Sequence, residues 1–185
     1  MQDWDAVVVG AGAAGLLAAT RAAERGRKTL LIEKNRRPGV KILMSGGTRC
    51  NLTQATDERG IVEAFGAHGK FLHSALASLG PRDLVELIEA EGVLTKTEPT
   101  GKIFPVSDKA ADVLGALLRR LERSGCVLAT AEPVHAIDRT SSRFQITTGR
   151  RALTAAALAI TTGGCSYPGC GTTGDGYQWA AKFGH

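Results

Sequence analysis

The feature that most constrains this chain is Gly10-Ala11-Gly12-Ala13-Ala14-Gly15, set directly after the apolar run Asp5-Ala6-Val7-Val8-Val9. A glycine triplet at this spacing is weak evidence alone, because Gly is common and the pattern arises by chance. Its setting supplies the specificity. The run before it has the continuous, β-branched character of a strand buried on both faces of a parallel sheet. Residues 13–25 read as an Ala/Leu-rich helix with Gly26 as its stop. Thr29-Leu30-Leu31-Ile32 is a second buried strand, and it ends on an acid, Glu33. Strand, turn, helix and strand together fill about thirty residues, the size of one βαβ unit.

Each piece has a task in holding a dinucleotide. Gly10 permits the tight turn, Gly12 lets the backbone approach a pyrophosphate, and Gly15 lets the helix pack closely on the strand. The helix start at Ala13 and Ala14 turns free N–H groups and a partial positive charge toward the phosphates. Glu33 follows at the position where a carboxylate accepts hydrogen bonds from ribose hydroxyls and disfavours a 2′-phosphate. NADP is therefore not expected as the first ligand, whereas NAD and FAD both remain open. The competing reading is a flavodoxin-like or methyltransferase sheet with a fortuitous glycine turn.

Composition narrows the class further. The 185 residues, 43% hydrophobic and 22% charged, suit one sizeable soluble core. Aromatics are 5%, too few for the stacking platforms of single-strand binders. The net charge is +5, but along the sequence the cations alternate with acids, and the runs Lys34–Arg37 and Arg119–Arg123 are short. The expectation is a solvated face with some attraction for an anionic cofactor, and no nucleic-acid partner. With four cysteines and no CxxC pair, no leader and no apolar stretch of spanning length, a reducing cytoplasm and no membrane are expected. The four histidines and the cysteines fall at no metal-ligand spacing.

Beyond the first unit the chain alternates between helical and extended patterns. Residues 36–53 form a polar, Gly-rich loop too long for a mere connector. Short helices are expected over 71–80 and 82–92, strand pieces around a turn at 99–102, and a helix over 107–124 with Ser107 as N-cap and Gly125 as stop. A strand at 126–128, an antiparallel meander over 134–138, 143–147 and 152–155, a separate strand over 156–161 and a helix over 177–183 complete the reading. The fold class expected is α/β, a Rossmann-like FAD/NAD(P)-binding fold with a central parallel sheet and a small antiparallel meander.

The loop Ser45-Gly46-Gly47-Thr48-Arg49-Cys50-Asn51 combines small and hydrogen-bonding residues, a nest suited to a pyrophosphate or to the polar edge of a flavin ring. Arg49 is its candidate for offsetting phosphate charge and Asn51 for bonding a ring carbonyl. Cys50 is either a packed thiol or a low-pKa, redox-active one.

Val8–Leu16, Leu31–Asn35, Lys41–Thr53, Lys70–Leu72, Phe104–Ala110, Thr162–Pro168 and Thr173–Tyr177 together resemble the bacterial FAD-dependent flavoproteins of the aminoacetone-oxidase-like or BaiN-like type. These stretches run across the whole chain in family order. The resemblance implies FAD, a hydride transferred between a small organic substrate and the flavin, and a nicotinamide or oxygen as redox partner. It implies cofactor contacts from Lys34, from Thr162-Gly163-Gly164, and from the backbone of Val134 toward the adenine. Asp175 is either a cofactor-side residue or the N-cap of the last helix, or both. Lys41 or Arg49 is the candidate for stabilising the charge of reduced flavin; no residue is assigned a catalytic role. Two departures stand out: Thr48 where Gly is usual, which sets that loop slightly farther from the flavin, and Thr161 where Ala is usual, with little consequence expected. Members of the family are roughly twice as long. The expectation is thus an FAD-binding domain over 1–185 with a helical insertion at about 65–105, truncated before the substrate domain and the returning flavin-binding segment. A flavin-binding module without activity and a tRNA-modifying flavoprotein are the alternatives. The family-specific loop and the lack of a concentrated basic patch in the sequence weigh against the second.

Overall fold

The computed structural model describes residues 2–185. They divide into two compact units, one built from residues up to Lys41 together with Leu118–His185, the other from Ile42–Leu117. The first unit is centred on a six-stranded sheet. Its elements are β1 (Gln2–Val9), α1 (Ala13–Glu24), β2 (Thr29–Ile32), β6 (Val127–Ala129), β7 (Val134–Arg139), β8 (Phe144–Thr148), β9 (Ala152–Ile160) and α7 (Asp175–Lys182). The strand order is β6-β2-β1-β9-β8-β7. The first four strands are parallel and the last two join antiparallel. β2 is buried along its whole length, as a strand covered on both faces must be. Val7, Val9, Leu30, Ile32, Ile137, Ile146 and Leu153 form the apolar centre of this unit.

Helix α1 ends as its sequence predicts: Arg25 caps it, and Gly26 follows at φ +76°, its N–H donating to Ala23 O at 2.8 Å. Two expectations need correction. The third meander strand and the following parallel strand are one element. β9 pairs antiparallel with β8 through Ala152–Ala155 and parallel with β1 from Leu153 to Ile160. One strand can serve both neighbours because its two edges are independent. Asp175 is the first residue of α7, whereas the N-cap is Gly174 at φ +79°.

The second unit carries α3 (Glu58–Ala64), a 3₁₀ stretch Gly66–Leu72, α4 (His73–Ser78), α5 (Pro81–Glu89) and a three-stranded antiparallel sheet. The sheet runs β3-β5-β4, from β3 (Thr53–Gln54), β4 (Thr95–Thr97) and β5 (Lys102–Pro105). The short helix α2 (Val40–Met44) interrupts the long loop, and α6 (Ala110–Arg123) returns the chain to the first unit. Ser107 is not the N-cap of α6. Asp108 takes φ +55° between them, and the helix opens three residues after Ser107. Among the described residues no helix is long and apolar enough to cross a membrane.

Candidate functional site

The carboxyl ends of β1, β2 and β9 lie level, with Val9 in register with Ile32 on one side and Ile160 on the other. The strand order reverses at β1. A crevice outside the carboxyl ends at such a reversal is where parallel α/β sheets bind ligands.

The three glycines of the turn are required for different reasons. Gly10 sits at φ +102°, and a Cβ there would come within 2.7 Å of Thr161 O. At Gly15 a Cβ would lie 1.8 Å from Gly10 O, so only glycine lets α1 close on the strand. Gly12 has ordinary extended geometry, and nothing in the protein lies within 4 Å of its Cβ position. No contact within the chain explains that glycine; the open space at the helix start does. Gly12 is the N-cap of α1 without a side-chain cap, and no acid lies in the first turn. The first N–H groups, at Ala13 and Ala14, both exposed, are open to an anion without a competing carboxylate in the first turn. This arrangement fits a dinucleotide pyrophosphate.

Glu33 is 7% exposed and holds the turn in place. Its carboxylate accepts from Ala11 N and from Asn35 N, both at 2.8 Å. About two of its roughly four acceptor positions are not used by these bonds. The backbone beyond it is clamped to the opposite segment: Glu33 N donates to Ala129 O at 2.8 Å, Glu132 N to Glu33 O at 3.0 Å, and Ala131 N to Asn35 O at 2.9 Å. That places Val134, at the start of β7, two residues beyond the contact with Glu33. Glu132 is itself buried and pairs with Arg151 at 2.9 Å and Thr148 Oγ1 at 2.9 Å. Burial alone would raise its pKa, but these hydrogen bonds outweigh it and hold the carboxyl below its ordinary value.

Lys34, Asn35 and Lys41 tie the segment 166–175 to this end of the sheet. Lys34 Nζ donates to Thr173 Oγ1 at 2.7 Å and to Asp175 Oδ2 at 2.8 Å, Asn35 Nδ2 to Cys170 O at 3.2 Å, and Lys41 Nζ to Ser166 O at 3.2 Å. The bond from Lys34 keeps Asp175 ionised, with its pKa lowered. Thr162-Gly163-Gly164 leaves β9 beside the turn, where Thr161 N donates to Val9 O at 2.8 Å. The Thr161 hydroxyl lies 2.9 Å from Val9 O and 2.8 Å from Gly10 O. This corrects the expectation of little consequence: Thr161 fastens the turn to β9.

In the second unit the Ser45–Asn51 loop is self-contained. Gly46, Gly47, Thr48 and Cys50 all take positive φ. Ser45 Oγ donates to Ile42 O at 2.8 Å, and Cys50 N to Ser45 O at 3.0 Å. Arg49 bonds Glu98 at 2.6 Å and Asp108 at 3.3 Å and stacks 4.0 Å over the Phe104 ring. Its charge is answered by Glu98 and by Asp108, which Lys96 also pairs. Cys50 is buried, and burial pushes its thiol up while a hydrogen bond with Ser45 offsets part of the shift. That favours the packed thiol over the low-pKa one. Gly46, Gly47 and Asn51 are exposed and present backbone. Sequence reasoning did not single out Glu98, Asp108, Glu132 or Arg151; their partners lie 12 to 59 residues away, and no local spacing signals such pairs.

A family model described as the HI0933-like protein Rossmann domain matches residues 4–185. The chain belongs to this family. The HI0933-like chain is 33% identical over 184 residues to a protein named ribosomal RNA dihydrouridine synthase from Escherichia coli (strain K12), covering 100% of this chain and 45% of the relative. A protein of the same name from Haemophilus influenzae (strain ATCC 51907 / DSM 11121 / KW20 / Rd) is 30% identical over 187 residues, covering 96% of this chain and 45% of that one. The HI0933-like chain thus spans under half the length of the curated relatives it matches. Among solved structures, the Mycobacterium smegmatis Sdh1 complex in the apo form superposes with a TM-score of 0.71 at 18% identity, over 98% of this chain and 39% of that one. The fold is therefore the Rossmann-like α/β fold of that family.

Proposed function

We propose that this chain is the FAD-binding part of a flavin-dependent oxidoreductase that reduces a uridine in ribosomal RNA. The observation that carries the reading is the match, end to end along this chain, to two relatives both named for that reaction. Neither is named for the amine-oxidase or BaiN type of activity. The substrate is then a base within an RNA, in place of the small molecule that the family resemblance implied and the absence of a nucleic-acid partner that composition suggested.

Reducing the C5–C6 double bond of a uracil ring takes a hydride and a proton, and bound FAD in its reduced form supplies the hydride. The residues of this chain bind and orient. Gly12, Ala13 and Ala14 receive the pyrophosphate, Gly10 and Gly15 set the turn, and Glu33 accepts from the ribose. Val134 passes its backbone to the adenine. Lys34 and Asp175 hold the 173–175 turn in place, and Thr162-Gly163-Gly164 lies beside the cofactor. The flavin end is assigned, from the sequence resemblance, to Lys41, Ser45, Gly46, Gly47, Cys50 and Asn51. Arg49 acts there by shaping the loop. Electrons for the next cycle come from a reduced nicotinamide.

The test is to delete the gene and measure dihydrouridine in the ribosomal RNA by mass spectrometry. The expected result is loss of a dihydrouridine, restored by the wild-type gene and not by Gly12→Ser. Unchanged dihydrouridine after deletion overturns the RNA reading. A purified protein that neither carries nor takes up flavin overturns the cofactor reading as well.

A further inference from the structure

A count of aromatics argues against a stacking platform, yet the fold does not spread them evenly. The first unit holds Trp4, Phe144, Tyr167, Tyr177, Trp179 and Phe183. Trp4 lies in the apolar centre, and Phe144, Trp179 and Phe183 pack against it. The two left in solvent are the chain's two tyrosines, Tyr167 at 70% exposed and Tyr177 at 62%. Both stand on one segment, the one that leaves β9 at the carboxyl end of the sheet.

That segment folds back on itself. A Cβ at Gly163 would lie 3.0 Å from the Thr172 side chain, and one at Gly176 2.5 Å from Thr162 Oγ1. Its outer part is tied down by Lys34, Asn35 and Lys41. Tyr177 lies along two glycines. A Cβ at Gly174 would come 3.4 Å from its ring, and one at Gly164 2.9 Å from its hydroxyl, so neither neighbour has a side chain to cover it. Tyr167 is held differently. It takes φ +58°, a left-handed conformation that is costly for a bulky residue. Its surroundings enforce that conformation: Cys170 N donates to Tyr167 O at 2.9 Å, and the Thr172 hydroxyl lies against the carbonyls of both Ser166 and Tyr167. A position that only had to turn the chain would favour Gly or Asn. Here the turn carries an aromatic ring on a fixed mount and leaves it in water.

We propose that Tyr167 and Tyr177 form a stacking platform for the target uridine, turned out of the RNA beside the Thr162-Gly163-Gly164 stretch assigned to the cofactor. The proposal rests on the reading that RNA is the substrate. A uracil inside a folded RNA is stacked on its neighbours, so its C5–C6 bond reaches a flavin only after the base has left them. Aromatic rings are the surfaces that proteins offer an unstacked base, and they serve without any excess of positive charge. The fixed mount matters because a ring that must first be ordered returns part of its stacking energy.

The test uses the protein at its natural length, loaded with FAD, and a labelled ribosomal RNA fragment from a strain lacking the gene, in which the uridine is unmodified. Tyr167→Leu and Tyr177→Leu remove the ring and keep apolar bulk, whereas Tyr167→Phe and Tyr177→Phe keep the ring and remove the hydroxyl. Each leucine variant is expected to bind the fragment about tenfold more weakly and to form dihydrouridine more slowly by at least that factor. Each phenylalanine variant should bring both back to within about threefold of the wild type. FAD dissociation constants and melting midpoints should match the wild type in all four. Leucine variants that bind and react like the wild type overturn the platform. An equal loss in the leucine and phenylalanine variants also overturns it, because the hydroxyls and not the rings would then carry the effect. Leucine variants that melt earlier or lose FAD while RNA binding holds overturn it as well, and make the tyrosines packing residues. In these three cases the wild type still binds and modifies the fragment, so the RNA reading stands. A wild type that neither binds nor modifies it, with dihydrouridine unchanged on gene deletion, overturns that reading and the platform with it.

Discussion

Two glycine-rich turns of this molecule look alike on paper and differ in what they leave unsatisfied. The Gly10–Gly15 turn has its internal contacts complete: Gly10 N donates to Ile32 O, Ala11 N to Glu33, and Thr161 braces Val9 and Gly10. Its helix start is nevertheless uncapped, and the space over Gly12 is open. The Ser45–Asn51 loop is the reverse. Its arginine is paired, its cysteine is packed, and a Cβ at Gly46 would lie 2.7 Å from Asn51 N and 2.9 Å from the Phe104 ring. The difference teaches that a binding turn is marked by the glycine its own fold does not need.

The largest effects should come from separating the glycines of the first turn. Gly15→Ala forces a methyl to 1.8 Å from a backbone oxygen and should cost about 3 kcal/mol or more in urea unfolding. Gly12→Ser meets nothing and supplies a better N-cap, so the unfolding midpoint should hold or rise slightly. Yet its FAD dissociation constant, read by fluorescence titration, should rise about tenfold or more. A Gly12→Ser protein that binds FAD normally breaks the comparison. Next in size is Glu132→Ala, which leaves Arg151 partly buried without its carboxylate and should cost about 2 kcal/mol. Because the folded pKa of Glu132 lies below its ordinary 4.5, its contribution is present above that value and is lost as pH falls through the depressed one. Thermal melts from pH 6 down to pH 3 should therefore decline for the wild type and decline less for Glu132→Gln. In the second loop, Gly46→Ala should cost about 2 kcal/mol, from positive φ and crowding together, and Gly47→Ala about 1 kcal/mol from φ alone.

Much of this was legible in the sequence, and what was hidden shares one cause. The βαβ unit announces itself because its determinants are local: the run before Gly10, the helix stop at Gly26 and the acid at the end of the next strand fall within 33 residues. The turn around residues 99–102 and the stop at Gly125 are legible for the same reason. The merging of two predicted strands into β9 was hidden, because only pairing partners reveal that one strand serves two neighbours. Thr161 reads as a neutral departure in the sequence, whereas its hydroxyl lies between the last carbonyl of β1 and that of Gly10 in the turn.

Arg49 should give the smallest effect on the cofactor, and it separates the two turns most sharply. A motif reading assigns the guanidinium to phosphate, since it stands among glycines. Its geometry gives it to Glu98 and Asp108, and that pairing raises its own pKa while Lys96 and Arg49 together lower that of Asp108. Arg49 and Lys96 together are matched by Glu98 and Asp108, so the cluster adds little field at a pyrophosphate, the more so at a partly exposed position screened by salt. Arg49→Met keeps the stem that covers Phe104 and removes the charge. FAD affinity should change by less than about threefold, while the unfolding midpoint falls and becomes less sensitive to added salt. A rise of about tenfold or more in the FAD dissociation constant with the midpoint unchanged would reverse the assignment, and would make the second loop a phosphate site in its own right.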